Sequence, residues 1–314
     1  MQDNSAPRLP ENAGHSSFRM PGAWTIRSIM LAPALKAARG AFDPAYRPVN
    51  LRDPLEVEKA RQAYSSLETT STSLHPDIPK TIWMLWQQGW DKAPDLAKAC
   101  AKSWQEQNPG WDVRLLDEES LPRHIAGYSE IVRTDMTRQN RSDLARTLLL
   151  HQHGGVWADA SLFCVRPLDG WLPQVAGAGF FVFTDPRPYR AIENWFIAGA
   201  KDNYFIATML ELFKAYWGRF RKEHRYYWMM YLMEYLAKAD PEARRIWDAM
   251  GKRSALGPLA VAVHAFSEDP PASVLRLIDE RKVPVHKLSH RWRSDDLGGT
   301  VLERLTGLNE LRGP

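Results

Sequence analysis

The chain has 314 residues, of which 44% are hydrophobic and 25% are charged, and its formal net charge at pH 7 is +4. These proportions are typical of a globular protein and exclude a collagen-like or largely disordered chain, while the length allows one or two domains. The mild positive charge suits an anionic ligand or a membrane surface, but the basic residues are scattered without a nucleic-acid-binding motif, so no nucleic-acid partner is expected.

The first part of the chain predicts an extension in front of the main domain. Residues 1–20 mix Pro, Asn, Ser and Gly without periodicity, which predicts disorder. Residues 21–74 predict helices followed by a Ser/Thr-rich linker at 69–73. The apolar stretch at 22–42 is too interrupted by charge and proline to span a bilayer. We expect a helix packed on the domain, and the alternative is a basic amphipathic helix lying on a membrane surface.

Two features predict the compartment. The first residues carry no secretory signal. Cys100 and Cys164 are the two cysteines of the chain, which favours a reducing environment without a disulfide framework. We therefore expect a cytoplasmic protein, with peripheral contact to the inner face of the plasma membrane left open.

The main domain, residues 75–314, opens with IPKTIWMLWQQGW at 78–90. This segment predicts a strand at 81–86 that ends in a polar loop. In an open α/β sheet, ligands lie beyond the carboxyl ends of such strands. A helix at 94–107 and a strand at 111–116 follow, separated by an Asn-Pro-Gly turn.

The stretch RSDLARTLLLHQHGGVWADASLFCVRPLD, residues 141–169, carries the clearest chemical signal. It predicts a helix to about His153, because paired glycines adopt a backbone conformation that is costly for other residues and so end a helix. The apolar run at 156–165 predicts one buried strand.

Three charged residues of this stretch are candidates for function. Asp143 and Arg146 are spaced i, i+3 and lie on one side of the helix. Asp159 lies within the predicted strand, and a buried carboxylate needs a partner. The spacing alone leaves a second interpretation open, in which the first two form an ordinary surface ion pair and Asp159 accepts backbone hydrogen bonds at a strand end.

The remaining elements predict a helical C-terminal part. GAGFFVFTD at 177–185 predicts a strand, and a short strand with Asn194 precedes a long amphipathic helix. Helices are predicted over about 204–250, with a break at Asp240 and Pro241, which are a favourable N-cap and a favourable first helical residue.

PVHKLSHRWRSDD, residues 284–296, concentrates basic groups. Charge-assisted hydrogen bonds to a diphosphate require such donors, and a solvated basic tail is the alternative. The basic residues are His286, Lys287, His290, Arg291 and Arg293.

The pattern R-S-D-x-x-R, a Leu-rich turn and G-G-V-W-x-D-A-S resembles the sugar-nucleotide site of glycosyltransferases with the DXD sugar-binding region. These include the yeast initiating mannosyltransferases, the large clostridial glucosylating toxins and, above all, the bacterial capsular polysaccharide synthesis proteins. The resemblance extends over about residues 78–293 through the shorter motifs I-P-K-T-I-W, S-W, N-P, W-F-I-A and H-K-L. It implies an α/β fold of the GT-A type (Rossmann-like) that binds a nucleotide sugar, with additional N- and C-terminal helices.

The resemblance also implies an activity. It predicts a glycosyltransferase, retaining in type, that moves a sugar from a UDP- or GDP-sugar to a glycan or polysaccharide acceptor in capsular or other surface polysaccharide synthesis. The resemblance assigns catalytic roles to Asp159 and Arg146, and it places Trp86 against the base and Asn194 near a sugar hydroxyl. The donor-binding residues it implies are Trp86, Asp143, Arg146, Asp159, Ser161, Asn194, His286, Lys287 and His290.

One position departs from the DXD pattern. Ser161 stands where the second acid is usual, and Asp159 remains as the ligand of an expected Mn²⁺ or Mg²⁺ ion. A hydroxyl is a weak ligand for such hard cations. Either His286 or His290 compensates, or the basic cluster stabilises the leaving group without metal. A non-catalytic carbohydrate-binding or scaffold protein on the same fold is the alternative function.

Overall fold

The computed structural model describes residues 19–22, 24–32, 49–67, 74–75, 77–187 and 190–311. Seven strands lie in these ranges: β1 (Thr81–Leu85), β2 (Asp112–Leu116), β3 (Gly155–Ala158), β4 (Leu162–Cys164), β5 (Phe180–Arg187), β6 (Arg190–Gly199) and β7 (Val285–Lys287). Disorder was predicted for residues 1–20, of which 1–18 lie outside the described residues, as does the predicted linker at 69–73.

Helices surround the strands and also form the C-terminal part of the described chain. Their bounds are α1 (24–32), α2 (Pro54–Gln62), α3 (Asp95–Gln107), α4 (Leu121–His124), α5 (Tyr128–Ile131), α6 (Arg138–His153), α7 (Leu172–Val175), α8 (Tyr204–Arg219), α9 (Trp228–Ala239), α10 (Pro241–Ala249), α11 (Leu256–His264), α12 (Ala272–Asp279) and α13 (Val301–Thr306). The predicted break between α9 and α10 is confirmed, since Asp240 caps α10 by accepting a hydrogen bond from the Ala243 amide (2.7 Å).

The central sheet has five strands in the order β2-β1-β3-β6-β5. β1 pairs in parallel with β2 and β3, whereas β6 runs antiparallel to β3 and β5. The carboxyl ends of β1 and β3 therefore lie at one edge of the sheet, and the first half of β6 extends past the same edge. The predicted mixed α/β fold with added helices is confirmed.

The prediction of one continuous strand at 156–165 is wrong. The chain leaves the central sheet after Ala158, turns at Asp159, and enters β4, which pairs with β7 in a separate two-stranded sheet. A continuous apolar run does not reveal this change of partner, because β3 and β4 are both buried and both apolar. The turn places Asp159 and Ser161 between the two sheets.

The N-terminal helices pack on the rest of the protein. In α1, Ile26 and Met30 are buried in the main core, while Trp24 is 82% exposed. The α2 helix packs on α11 and α12, and Arg61 joins it to Glu280 through an ion pair. Within the described ranges, no helix has both the length and the apolar character needed to cross a membrane.

Candidate functional site: an acid–guanidinium cluster at the edge of the sheet

A cleft of about 590 Å³ opens where β1 and β3 end. Its floor is formed by α6, the end of β3 and the first half of β6. One wall is formed by the end of β7 and the residues that follow it. This position agrees with the general rule that ligands of α/β sheets bind beyond the carboxyl ends of parallel strands.

Helix α6 supplies the floor with two charged residues. The helix begins at Arg138 because Thr137 caps it, with the threonine hydroxyl accepting a hydrogen bond from the Asn140 amide (3.2 Å). It ends at His153, and the next residue, Gly154, has a φ of +71°. The predicted glycine stop is confirmed, while the helix begins three residues earlier than the predicted Arg141.

Arg146 lies at the centre of an acid–guanidinium cluster that it forms with Asp143 and Asp159. Its Nη2 is 3.3 Å from Asp143 Oδ1 and 3.3 Å from Asp159 Oδ1. Its Nη1 donates to the Asn194 carbonyl oxygen (2.5 Å), and the guanidinium lies over the Trp157 ring at 4.9 Å. The side chain is 5% exposed, so one buried cation holds together the end of β3, the start of β6 and α6.

Asp143 is the buried acid of the cluster. Its side chain is 2% exposed, and its Oδ1 also accepts from Asn194 Nδ2 (3.1 Å). Burial raises the pKa of Asp143 to about 7, the charge of Asp159 adds to this rise, and Arg146 opposes it. The alternative of an ordinary surface ion pair is excluded by this burial.

The raised pKa of Asp143 predicts a pH-dependent stability. Between pH 3.8, the ordinary pKa of an aspartate, and about 7, the pKa of Asp143 in the folded protein, the folded state binds the proton that the unfolded chain has released. The free energy of unfolding should therefore fall as the pH rises from about 4 to about 7, by on the order of a few kcal/mol, and level off above that range. Asp143→Asn should remove this part of the slope, as measured by urea unfolding at pH 5, 6, 7 and 8.

Asp269→Asn is the matched control, because Asp269 is exposed and its replacement should leave the wild-type slope unchanged. Equal slopes in wild type and Asp143→Asn would contradict the assignment of the titration to Asp143.

The second acid, Asp159, is fixed from both sides. Its backbone amide donates to the Trp195 carbonyl oxygen (2.9 Å), and its Oδ1 accepts from Trp157 Nε1 (2.9 Å). Its Oδ2 lies 3.5 Å from Lys287 Nζ. The same Nζ donates to the Ser161 hydroxyl. Asp159 is 25% exposed, so it remains accessible from the cleft.

The side chains around Asp159 and Ser161 do not fit a divalent cation bound between these two residues. One oxygen of Asp159 already faces Arg146 and the other faces Lys287, while Mn²⁺ and Mg²⁺ require a shell of oxygen ligands. His290 lines the cleft, but within the described ranges no group of three or more His, Cys, Asp or Glu residues could hold a metal ion.

The wall of the cleft carries an aromatic ring and several cations. Trp86 follows β1, and its ring meets the His290 ring edge to face, with 5.3 Å between centroids. Lys287, His290 and Arg291 line the same wall. Burial lowers the pKa of His290, and the nearby charges of Lys287 and Arg291 add to this effect.

The placement of His286 corrects its assignment as a donor-binding residue. His286 is fully buried in β7 and does not line the cleft. Side chains alternate along a strand, so Lys287 faces the cleft and His286 points to the opposite side. Burial lowers the pKa of His286 to about 3, so its ring is neutral and supplies no cation. Because its side chain does not reach the cleft, His286 is also unable to complete a metal site there.

The other residues predicted to bind the donor line this one cleft: Trp86, Asp143, Arg146, Asp159, Ser161, Asn194, Lys287 and His290. Their roles remain predictions. Arg293, the last member of the basic segment, is absent from the lining and donates instead to the carbonyl oxygens of His290 and Trp292.

Sequence reasoning missed a second buried ion pair in the cleft. Arg190 Nη2 lies 2.6 Å from Glu193 Oε1, and its guanidinium stacks on the Tyr227 ring at 3.9 Å. Burial raises the pKa of Glu193, and Arg190 opposes this rise. The available signal was a pair of opposite charges three residues apart, directly in front of the apolar second half of β6. Tyr226, 59% exposed, lines the same cleft.

Fold and cleft together define a mixed α/β protein with a charged cleft at the edge of the sheet where β1 and β3 end. Residues 54–305 match a protein family described as "Capsular polysaccharide synthesis protein". The chain belongs to this family, which confirms the family predicted from the motifs.

The chain is also similar to named glycosyltransferases. It is 29% identical over 159 residues to the glycosyltransferase afumC of Aspergillus fumigatus, covering 44% of this chain and 40% of that protein. It is 23% identical over 141 residues to the initiation-specific alpha-1,6-mannosyltransferase of Saccharomyces cerevisiae, covering 40% of this chain and 29% of that protein. The chain thus spans less than half the length of these relatives.

One solved structure, "PaToxG Glycosyltransferase", aligns with a TM-score of 0.42 and 15% identity, covering 71% of this chain and 84% of that chain.

Proposed function

We propose that this protein is a glycosyltransferase that moves a sugar from a UDP- or GDP-sugar to a glycan or polysaccharide acceptor, in capsular or other surface polysaccharide synthesis. The observation that carries the proposal is the position of Arg146, between Asp143 and Asp159 on the floor of a cleft that also carries Trp86 and Lys287. Family membership and the named relatives support the same activity.

The proposed reaction requires the charges that meet in this cleft. Breaking the bond between a sugar and a diphosphate develops negative charge on the leaving nucleotide and positive charge on the sugar. Arg146 and Lys287 supply cationic hydrogen-bond donors for the diphosphate, and Asp159 supplies a carboxylate beside them. Trp86 offers an aromatic face for the base. Retention of the anomeric configuration is part of the proposal.

The cleft also carries side chains that suit an acceptor. Tyr226, Tyr227, Met230 and Leu259 line it. Aromatic rings and apolar side chains pack well against the flat faces of sugar rings, and tyrosine hydroxyls add hydrogen bonds. We therefore place the donor between Trp86 and Lys287, and the acceptor near Tyr226.

Calorimetric titration of UDP and GDP into the purified protein tests the donor site. We expect one nucleotide to bind with a Kd on the order of micromolar. Asp159→Ala should weaken this binding by about tenfold or more, because the variant removes the carboxylate that holds Lys287 and Arg146 in position. Asp269→Asn serves as the control and should bind like the wild type. Failure of the wild type to bind either nucleotide would overturn the donor site.

Ser161 favours a second candidate function, a non-catalytic carbohydrate-binding or scaffold protein on a glycosyltransferase fold. Ser161 stands in place of one of the two acids of the DXD pattern. An inactive wild type whose Ser161→Asp variant hydrolyses a nucleotide sugar would support this second function, whereas transfer by the wild type excludes it.

A further inference from the structure

The segment that joins β3 to β4 and the end of β7 form a small charged unit. Leu162 pairs with Lys287 across the β4–β7 ladder, and the Leu288 amide donates to the Ser161 carbonyl oxygen (2.8 Å). The backbone pairing thus fixes the lysine beside the segment that carries Asp159. Lys287 Nζ is within hydrogen-bond range of the Ser161 hydroxyl and 3.5 Å from Asp159 Oδ2.

An ammonium group therefore lies between the two side chains that correspond to the acids of a DXD pattern. The charge balance supports its presence there. Asp159 carries one negative charge and faces two cations, Lys287 and Arg146, at 3.5 Å and 3.3 Å. A divalent cation at the same place would be repelled by both. With a hydroxyl at position 161, one anionic ligand is left for it.

Lys287 is also accessible to a ligand. Its side chain is 20% exposed and lines the cleft together with His290 and Arg291. An ammonium held by a hydroxyl and a carboxylate keeps its orientation while its remaining N–H group points to other acceptors. Phosphate oxygens are strong acceptors for such a charged donor.

We propose that Lys287 takes the place of a divalent cation and binds the diphosphate of the nucleotide donor, so that this protein binds its donor without metal. This inference rests on the proposed function, because it assumes a nucleotide in the cleft. Ser161 is then a positioning residue that orients the ammonium.

Titrations of the wild type with UDP and GDP, in EDTA and in Mn²⁺, test the inference directly. We expect the Kd of the preferred nucleotide to agree within about twofold between the two conditions. Lys287→Met should weaken binding by about 10- to 100-fold in both, through loss of a charge-assisted contact. The control Lys102→Met, at a side chain that is 74% exposed on α3, should bind like the wild type.

A double variant tests the replacement itself. Ser161→Asp with Lys287→Met restores the second acid and removes the ammonium, so it should bind Mn²⁺, as measured by electron paramagnetic resonance of the free ion. Ser161→Asp alone should not, because Lys287 would pair with the new carboxylate. A folded double variant that binds no Mn²⁺ would contradict the claim that Lys287 occupies the cation position.

The outcomes separate this inference from the proposed function. A wild type that binds nucleotide in Mn²⁺ but loses about tenfold or more in affinity in EDTA, or a folded Lys287→Met variant that binds like the wild type, overturns metal-free binding and leaves the donor site intact. A wild type that binds no nucleotide under either condition overturns the donor site, and metal-free binding with it. The wild-type titration requires no variant, so a folding failure of Lys287→Met does not remove the test.

Discussion

Arg146→Met is expected to destabilise the protein by about 3–5 kcal/mol at pH 8, the range typical for removing one partner of a buried ion pair. The substitution preserves most of the side-chain length but leaves Asp143 and Asp159 without their shared cation. It also leaves the Asn194 carbonyl oxygen without its 2.5 Å donor. Urea unfolding of the purified variant measures the loss.

The pH dependence of this loss provides an internal check. Without Arg146, the pKa of Asp143 should rise above its value of about 7, because Arg146 is the group that opposes the effect of burial. Protonation then relieves part of the cost, so the variant should lose less stability at pH 5 than at pH 8. Nucleotide binding should be lost at both values, since the cation is lost in either case.

Two further variants separate charge from geometry. Arg146→Lys keeps the charge but lacks the planar fork that reaches both acids and the Asn194 carbonyl oxygen, so its stability should lie between those of wild type and Arg146→Met. Arg245→Met, at a side chain that is 76% exposed, should change the stability by less than about 0.5 kcal/mol. An Arg146→Met variant as stable as the wild type at pH 8 would contradict the role of Arg146 at the centre of the cluster.

Gly155→Ala should have the second large effect. Gly155 begins β3 at φ +98°, and an added Cβ would lie 2.6 Å from the Thr81 carbonyl oxygen in β1. Left-handed backbone costs a side-chained residue about 1–2 kcal/mol, and the clash with neighbouring backbone adds to that cost. We expect a total loss of about 3 kcal/mol or more, since both terms act together.

The same substitution should weaken nucleotide binding, because β3 must move away from β1 and carries Asp159 with it. Thermal unfolding and nucleotide titration of the same preparation measure both effects. Gly110→Ala is the control, as no atom lies within 4 Å of its added Cβ, and it should retain both properties. A Gly155→Ala variant with the same unfolding temperature as the wild type would show that β1 and β3 can separate without loss of stability.

Local patterns predicted much of the fold. The end of α6 was recognisable because glycine pairs break helices, and the α9–α10 break because Asp-Pro is a strong start signal. The association of Asp143 with Arg146 followed from i, i+3 spacing. Each of these signals is contained within about one or two helical turns, so no knowledge of distant partners was required.

Other features of the site depend on pairings between distant segments. Ser161 and Lys287 are separated by 126 positions, and their contact follows from the β4–β7 register. The same register decides that Lys287 faces the cleft and His286 does not. The Arg190–Glu193 pair was missed because it is recognisable only from its burial against Tyr227, which lies just before α9 and far from the pair in sequence. Spacing along the chain contains none of this information.

The β4–β7 ladder also affects the order in which the protein folds. The floor of the cleft needs α6, β3 and β6, which all lie within residues 138–199. Its cationic wall needs closure of a loop that spans most of the second half of the chain. The entropy cost of closing a loop rises with its length, so we expect the wall to dock last and to detach first in local unfolding. A nucleotide that bridges floor and wall would then stabilise the final docked state, coupling donor capture to the last step of folding.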